Sequence, residues 1–268
     1  MDQVKSYAFD RFTDRDRQAE IRRLHTQATL LWDRELTVLT SLGLPSDQPV
    51  LDIGCGPGFI AGGLAAFNSA GSVTGLDTSL ELLDIARTVV LPERPNLMVQ
   101  PGNAYATGLP AAAFQFVYNR LIYQHLDEPS RALQEAHRVT RPGGTVCVMD
   151  VDDAWLTVHP TIPAFDTFTA LACRAQAANG GDRHISRKLP GLMAAAGFHE
   201  VGVTAISVSS LEIGMAAFLD ITTGFKAIQI YTEDAFALRD RVGAEVEAAE
   251  EQGPVFGMVG VFFVTGRA

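Results

Sequence analysis

Two carboxylates and a run of glycines carry the first chemical signal in this chain. Asp52 precedes Gly54, Gly56 and Gly58 in the segment Val50-Leu51-Asp52-Ile53-Gly54-Cys55-Gly56-Pro57-Gly58. Glycines at 54 and 56 admit backbone conformations closed to residues with a β-carbon, and they let a ligand lie directly on the main chain. Asp77 follows at about 20 residues beyond the turn, the distance at which a strand-end carboxylate accepts both hydroxyls of a ribose. Among groups that move protons near neutral pH, His125, His159 and His184 fall on loops expected near such a ligand. Asp150, Asp152 and Asp153 offer hard oxygens of the kind that bind Mg²⁺ or Ca²⁺. No zinc-ligand spacing or Ser-His-Asp arrangement stands out, and no bound metal is expected.

These side chains need elements to hold them. The apolar run at Val50 leads into the glycine cluster, and Phe59 to Ala66 continues as a helix, which gives strand, tight turn, helix. Such a helix start aims free N–H groups at a ligand. A dinucleotide fingerprint would place its third glycine at position 59, where this chain has Phe59, so that reading fails. Further strands are predicted at Ser72–Asp77, Leu97–Gln100, Phe114–Asn119, Thr145–Asp150, Val201–Val208 and Val255–Val264. Ile21, Leu24, Ala28, Leu31, Trp32, Leu36 and Leu39 recur at helical spacing and predict one or two helices over 15–42. Helices are also predicted after Ser79, over 132–139, 169–178, 189–196 and 211–231, and over the charged stretch 233–250.

The Asp52–Gly58 turn, the strand ending in Asp77, Gly102-Asn103-Ala104, Leu109-Pro110 and the stretch from Asn119 to Pro129 follow one another in an order that resembles the class I S-adenosylmethionine-dependent methyltransferases. Within that class the chain is most similar to the ubiquinone-biosynthesis-like small-molecule methyltransferases, over roughly residues 50–150. The resemblance implies an α/β fold: a Rossmann-like, doubly wound sheet of seven strands, parallel with one antiparallel final strand, plus helical N-terminal and lid insertions. It implies S-adenosyl-L-methionine as cofactor, held by Asp52, Gly54, Cys55, Gly56, Gly58, Asp77, Thr78, Asn103, Ala104, Asn119 and Gln124. The family often has Gly-Asp-Ala where this chain has Gly102-Asn103-Ala104, and the Asn103 amide can still pair with an adenine edge. Methyl transfer is an in-line displacement to an O, N or C acceptor, so positioning supplies much of the catalysis. The expected catalytic groups are His184, His125 and Tyr123, with His184 the first candidate for removing a proton. Tyr7, Arg120, Trp155, Phe218 and Phe225 are expected to contact the acceptor. Asn103 and Gln115 depart from the family pattern and keep a rival open: a non-catalytic binding sensor or partner protein, or an enzyme using the same site for another reaction.

At 268 residues, 47% of them hydrophobic, the chain can build one domain over 1–268 with a helical cap over 1–45 and substrate or lid insertions over 151–186 and 209–232. A formal net charge of -10 without a basic run excludes nucleic acid as the expected partner. Cys55, Cys147 and Cys173 are widely spaced and read as reduced thiols. The apolar stretch Val255–Val264 is too short to span a membrane, and Met1–Tyr7 has no apolar signal core, so the expectation is a cytoplasmic protein with no membrane partner. A homodimer is compatible with these features. Leu211, Ile213, Met215, Phe218, Leu219, Ile221, Phe225, Ile228 and Tyr231 are too many apolar residues for one buried stripe. They point to a cavity for a small, mostly apolar or aromatic metabolite, of the kind secondary metabolism supplies.

Overall fold

A computed structural model of the chain describes Phe9, residues 13–230 and residues 232–268. Helix α1 (Asp14–Ser41) starts where the Thr13 side chain accepts a bond from the Asp16 N–H. Its inward stripe carries Ala28, Leu31 and Leu39, as the spacing predicts, but also Glu20, Arg23 and Glu35, all buried. Apolar counting passes over these three charges. Tyr7 and Tyr231 lie outside the described residues.

The parallel half of the sheet follows in chain order: β1 (Val50–Ile53), α2 (Phe59–Phe67), β2 (Val73–Asp77), α3 (Leu80–Ile85), β3 (Leu97–Pro101), β4 (Phe114–Arg120), α4 (Pro129–Val139) and β5 (Thr140–Val151). All four β1 residues are buried, because both sheet faces are covered. In β4, Phe116 and Tyr118 enter one apolar core and Val117 enters the other. After β5 come β6 (Thr157–His159), α5 (Pro163–Ala178), α6 (Leu189–Ala195), β7 (His199–Ser209), α7 (Ser210–Ile213), α8 (Met215–Leu219), α9 (Phe225–Ile230), α10 (Glu233–Glu250) and β8 (Phe256–Arg267). A single π turn, Asp220–Gly224, joins α8 to α9.

The strand order is β3-β2-β1-β4-β5-β8-β6, with β7 on the other edge of β8. Strands β1 to β5 pair in parallel, and β8 inserts antiparallel between β5 and β7. This is the expected Rossmann-like α/β sheet with its antiparallel final strand. The short β6 is an addition, extending the β5 side of the sheet along Phe256–Met258. Three residues carry no readable period, which is why the sequence did not reveal it. Strand order reverses between β1 and β4, and ligands in such sheets lie beyond the carboxyl ends of the strands at this point. Among the described residues, no helix is long and apolar enough to cross a membrane.

Candidate functional site

The turn after β1 has the backbone that its glycines were read to provide. Gly54 has φ +81°, and a β-carbon there would stand 2.4 Å from Ile122 Cγ2. The N–H groups of Gly54 and Cys55 both donate to the Leu76 carbonyl, at 2.7 and 2.9 Å, and tie the turn to β2. Asp77, at the end of β2, accepts from Gly56 N–H at 2.8 Å and from Ser79 N–H at 2.9 Å. The carboxylate therefore shapes the turn and caps the next segment, and Asp77 also borders the space beyond the turn.

That space is a cavity of about 570 Å³. Asp52, Gly54, Cys55, Gly56, Asp77, Thr78, Asn103, Ala104 and Gln124 line it, as do Arg120, His125 and Phe225. Asn103 uses its Oδ1 to accept from Tyr105 N–H at 2.9 Å, which fixes the loop after β3. Neither oxygen of the buried Asp52 carboxylate has a hydrogen-bond partner. Burial pushes its pKa up to about 7, Arg120 pulls it down, and Glu35 and Asp77 push it up further. Arg120 does not neutralise it, because its guanidinium is held by Glu35 at 3.0 and 3.1 Å. Glu35 also accepts from Tyr118 O–H at 2.7 Å, which locks helix α1 over β4. A desolvated, partnerless carboxylate on a glycine-lined cavity is suited to an ammonium group.

The far wall is built by residues after β5. Ile221, Thr222, Phe225 and Lys226 come from the π turn and α9, Val151 ends β5, and Arg183 follows α5. His125 meets the Phe225 ring edge-on, with centroids 5.5 Å apart. Gln176 Nε2 donates to the Gln124 carbonyl at 2.6 Å and lies 2.9 Å from His125 Nδ1. Since an amide nitrogen can only donate, Nδ1 accepts and the ring proton sits on Nε2. Burial, with Arg183 and Arg23, lowers the His125 pKa to about 3, so the ring is neutral and acts as a donor. Behind it, Asp153 accepts from Arg183 at 2.9 and 3.0 Å and from Lys226 at 2.8 Å.

The family model described as a methyltransferase domain matches residues 51–148, the stretch that carries this turn and these strands. Residues 51–148 are thus similar to a methyltransferase domain. It is 36% identical over 118 residues to an uncharacterized methyltransferase of Schizosaccharomyces pombe, covering 41% of this chain and 42% of that protein. It is 38% identical over 100 residues to a malonyl-[acyl-carrier protein] O-methyltransferase of Erwinia billingiae, covering 37% of each. The match thus spans less than half the length of these curated relatives. The solved phosphoethanolamine N-methyltransferase 2 of Haemonchus contortus, in complex with S-adenosyl-L-methionine, superposes with a TM-score of 0.63 over 97% of this chain and 60% of that one. At 17% identity, this likeness speaks for the fold.

Several residues expected at the methyltransferase site lie elsewhere. His184 does not line the cavity; its ring sits 3.1 Å from Asp152, which Arg187 also holds at 2.5 and 2.7 Å. Its neighbour Arg183 takes the inward place, lining the cavity and bonded to Asp153. Tyr123 is wholly buried in the apolar core beneath β4, and Asn119 is buried in register with Ile53; neither reaches the cavity. Gly58 serves packing: at φ +78° it starts α2, and a β-carbon there would stand 2.8 Å from Ala86 Cβ. Phe218 is buried against Gly257, and Trp155 is 53% exposed against Phe262. His159 is exposed on β6.

The three aspartates offered for a metal part company. Asp150 accepts from backbone N–H groups of Val151 and Gln124, Asp152 faces His184 and Arg187, and Asp153 faces Arg183 and Lys226. Among the described residues, no group of three or more His, Cys, Asp or Glu is arranged to hold a metal ion. Lys226, Arg183 and Arg23 are cavity residues that sequence reasoning missed. For Arg23 a signal existed: Glu20 precedes it by three residues, so the two face each other on one side of a helix. For Lys226 and Arg183 none did, since each is identified by a carboxylate distant in the chain.

Proposed function

We propose that this chain is an S-adenosylmethionine-dependent methyltransferase acting on a small molecule. The observation that carries this reading is the buried, partnerless Asp52 carboxylate beside a glycine turn whose Gly54 has no room for a side chain. When bound, S-adenosylmethionine supplies an activated methyl group and its own leaving group. Asp52 takes the ammonium of the methionine moiety, the Gly54–Gly56 backbone lies along it, and Asp77 accepts the ribose hydroxyls. Asn103 and Ala104 close on the adenine edge, with the free capacity of the Asn103 amide available for pairing. Gln124 faces the cavity with its side-chain carbonyl bonded to Arg183, which joins the cofactor half of the site to the acceptor half.

On the acceptor side, Leu121, Ile221 and Phe225 exclude water, and His125, kept neutral by burial, adds no competing charge to the wall. Positioning and desolvation supply much of the rate in this reading. The segments over 151–186 and 209–232 act as the cover over the acceptor. Calorimetry tests the reading: S-adenosylmethionine and S-adenosylhomocysteine bind, and a nicotinamide dinucleotide does not. Labelled methyl then passes to phenolic, indolic or quinone-like compounds and not to nucleic acid. Binding of the dinucleotide alone, or no turnover of bound cofactor with any small acceptor, would overturn it.

A further inference from the structure

Among the described residues, the cations that line the cavity are not each given a carboxylate of their own. Arg23 is held by Glu20 through two bonds of 2.7 Å, Arg120 by Glu35, and Arg131 by Glu128 at the rim. Lys226 and Arg183 share a single partner, Asp153. All three side chains are nearly buried: 3% exposed for Lys226 and Asp153, and 8% for Arg183. Asp150, whose charge also reaches Arg183, is turned to the backbone N–H groups of Val151 and Gln124, and burial pushes its own pKa up to about 7. Among the described residues, two buried cations therefore share one hydrogen-bonded counter-anion at this end, where water is scarce and an undercompensated charge is costly. The strain shows in Lys226 itself: burial lowers its pKa to about 8 against the pull of Asp153, and Arg183 lowers it further.

The same two cations line a second, smaller chamber of about 50 Å³. Its other walls include Leu31, Met149, Leu156, Val259 and Val261, and none of the glycine-turn residues takes part. Lys226 and Arg183 thus stand between the main cavity and an apolar recess, away from the glycine turn. We propose that the acceptor is an amphiphilic carboxylate, its anionic group received by Lys226 and Arg183 and part of its apolar body seated in the recess. One monoanion completes the charge balance of the Asp153 cluster, and the pair of donors on two different elements can engage both oxygens. This inference rests on the methyltransferase reading for the identity of the ligand as acceptor, but the anion preference is testable without the cofactor.

The test compares 3-phenylpropanoate with its uncharged amide and the matching primary amine, by calorimetry on the full chain, alone and with S-adenosylhomocysteine. The carboxylate is expected to bind at least about tenfold more tightly than either, as a partly buried charge-assisted pair implies. Lys226→Met should erase that preference and leave S-adenosylhomocysteine affinity unchanged, and Lys226→Arg should restore it. Equal binding of the three probes to the unmutated protein, or preference for the amine, would overturn the proposal without any variant. So would a Lys226→Met protein that loses S-adenosylhomocysteine and keeps the carboxylate preference, because the lysine would then serve the cofactor. Absence of S-adenosylhomocysteine binding to the unmutated protein would instead defeat the methyltransferase reading, and the probe series would still decide the anion site.

Discussion

Replacing Asp52 with asparagine separates what this carboxylate costs the fold from what it does for a ligand. Its pKa is pushed from the ordinary 3.8 to about 7, chiefly by burial. A raised carboxylate pKa means that the folded state holds its proton more tightly than the unfolded chain. Its contribution to stability is therefore complete below pH 3.8 and is lost as pH climbs through 7. Above pH 7 the ionised folded form carries a penalty of about 4 kcal/mol, from the difference between 3.8 and 7 at 1.36 kcal/mol per pH unit. An asparagine removes the charge but leaves a buried amide without a partner, which costs about 1–3 kcal/mol. The Asp52→Asn protein without ligand should then be more stable than the parent at pH 8 by about 2 kcal/mol, a rise in Tm of about 4–8 °C. Cofactor binding should move the other way, weakening by about 2–3 kcal/mol, or roughly 30- to 150-fold, as the charged partner of the ammonium is lost. In the parent, affinity should fall as pH drops below 7, because the carboxylate must release its proton to receive the cation; in the variant this dependence should flatten. Thermal melts at pH 5 and 8, with calorimetry at pH 6, 7 and 8, measure all three. A variant less stable than the parent at pH 8, with unchanged cofactor affinity, would refute the assignment of Asp52 as a desolvated ammonium receptor.

Gly54→Ala should reduce cofactor affinity by at least about tenfold in calorimetry, since it combines φ +81° with a contact of 2.4 Å to Ile122. Gly108→Ala, at φ +74° with no atom within 4 Å, should cost about 1–2 kcal/mol in urea denaturation and leave binding intact. Glu35→Gln should destabilise the chain by about 3 kcal/mol in the same assay, because Arg120 is left buried without its counter-charge; an unchanged midpoint would show that water reaches the pair. His184→Ala should leave methyl transfer within about twofold of the parent, and a loss of about 100-fold, the scale of a general base, would put this ring back in the chemistry.

What could be read from the sequence was what local spacing determines. The turn at Gly54 and the carboxylate at Asp77 are separated by one strand-turn-helix-strand unit of nearly fixed length, so their juxtaposition follows from counting. The pairs that shape the rest of the cavity join distant stretches: Arg120 meets Glu35 across 85 residues, and Lys226 meets Asp153 across 73. Nothing in the neighbourhood of Lys226, flanked by Phe225 and Ala227, distinguishes it from a solvated helix lysine. Glu35 left a faint trace, since it stands in the helical register of Ala28, Leu31 and Leu39, where an apolar residue is the rule. His184 was drawn to the site by its place on a loop beyond β5, and that loop presents Arg183 inward instead. Such a choice between adjacent side chains is made by packing, which the loop composition does not encode.

The position of β8 has a consequence for how the chain is made. Strands β1 to β5 form a parallel sheet from residues 50–151, and that half can assemble as soon as those residues are available. Strand β7, by contrast, finds its pairing among the described residues in β8 alone, from His199–Arg267 to Ser209–Met258. The long edge of β5 beyond Thr145 also waits for β8. During synthesis, two unpaired strand edges are therefore held open until residues 256–267 leave the ribosome, more than a hundred residues after β5. Open edges of this length are templates for pairing with another chain. Strand β8 is thus the one that protects the nascent protein from its neighbours, and a chain cut short within α10 would carry the parallel strands with the β5 and β7 edges exposed.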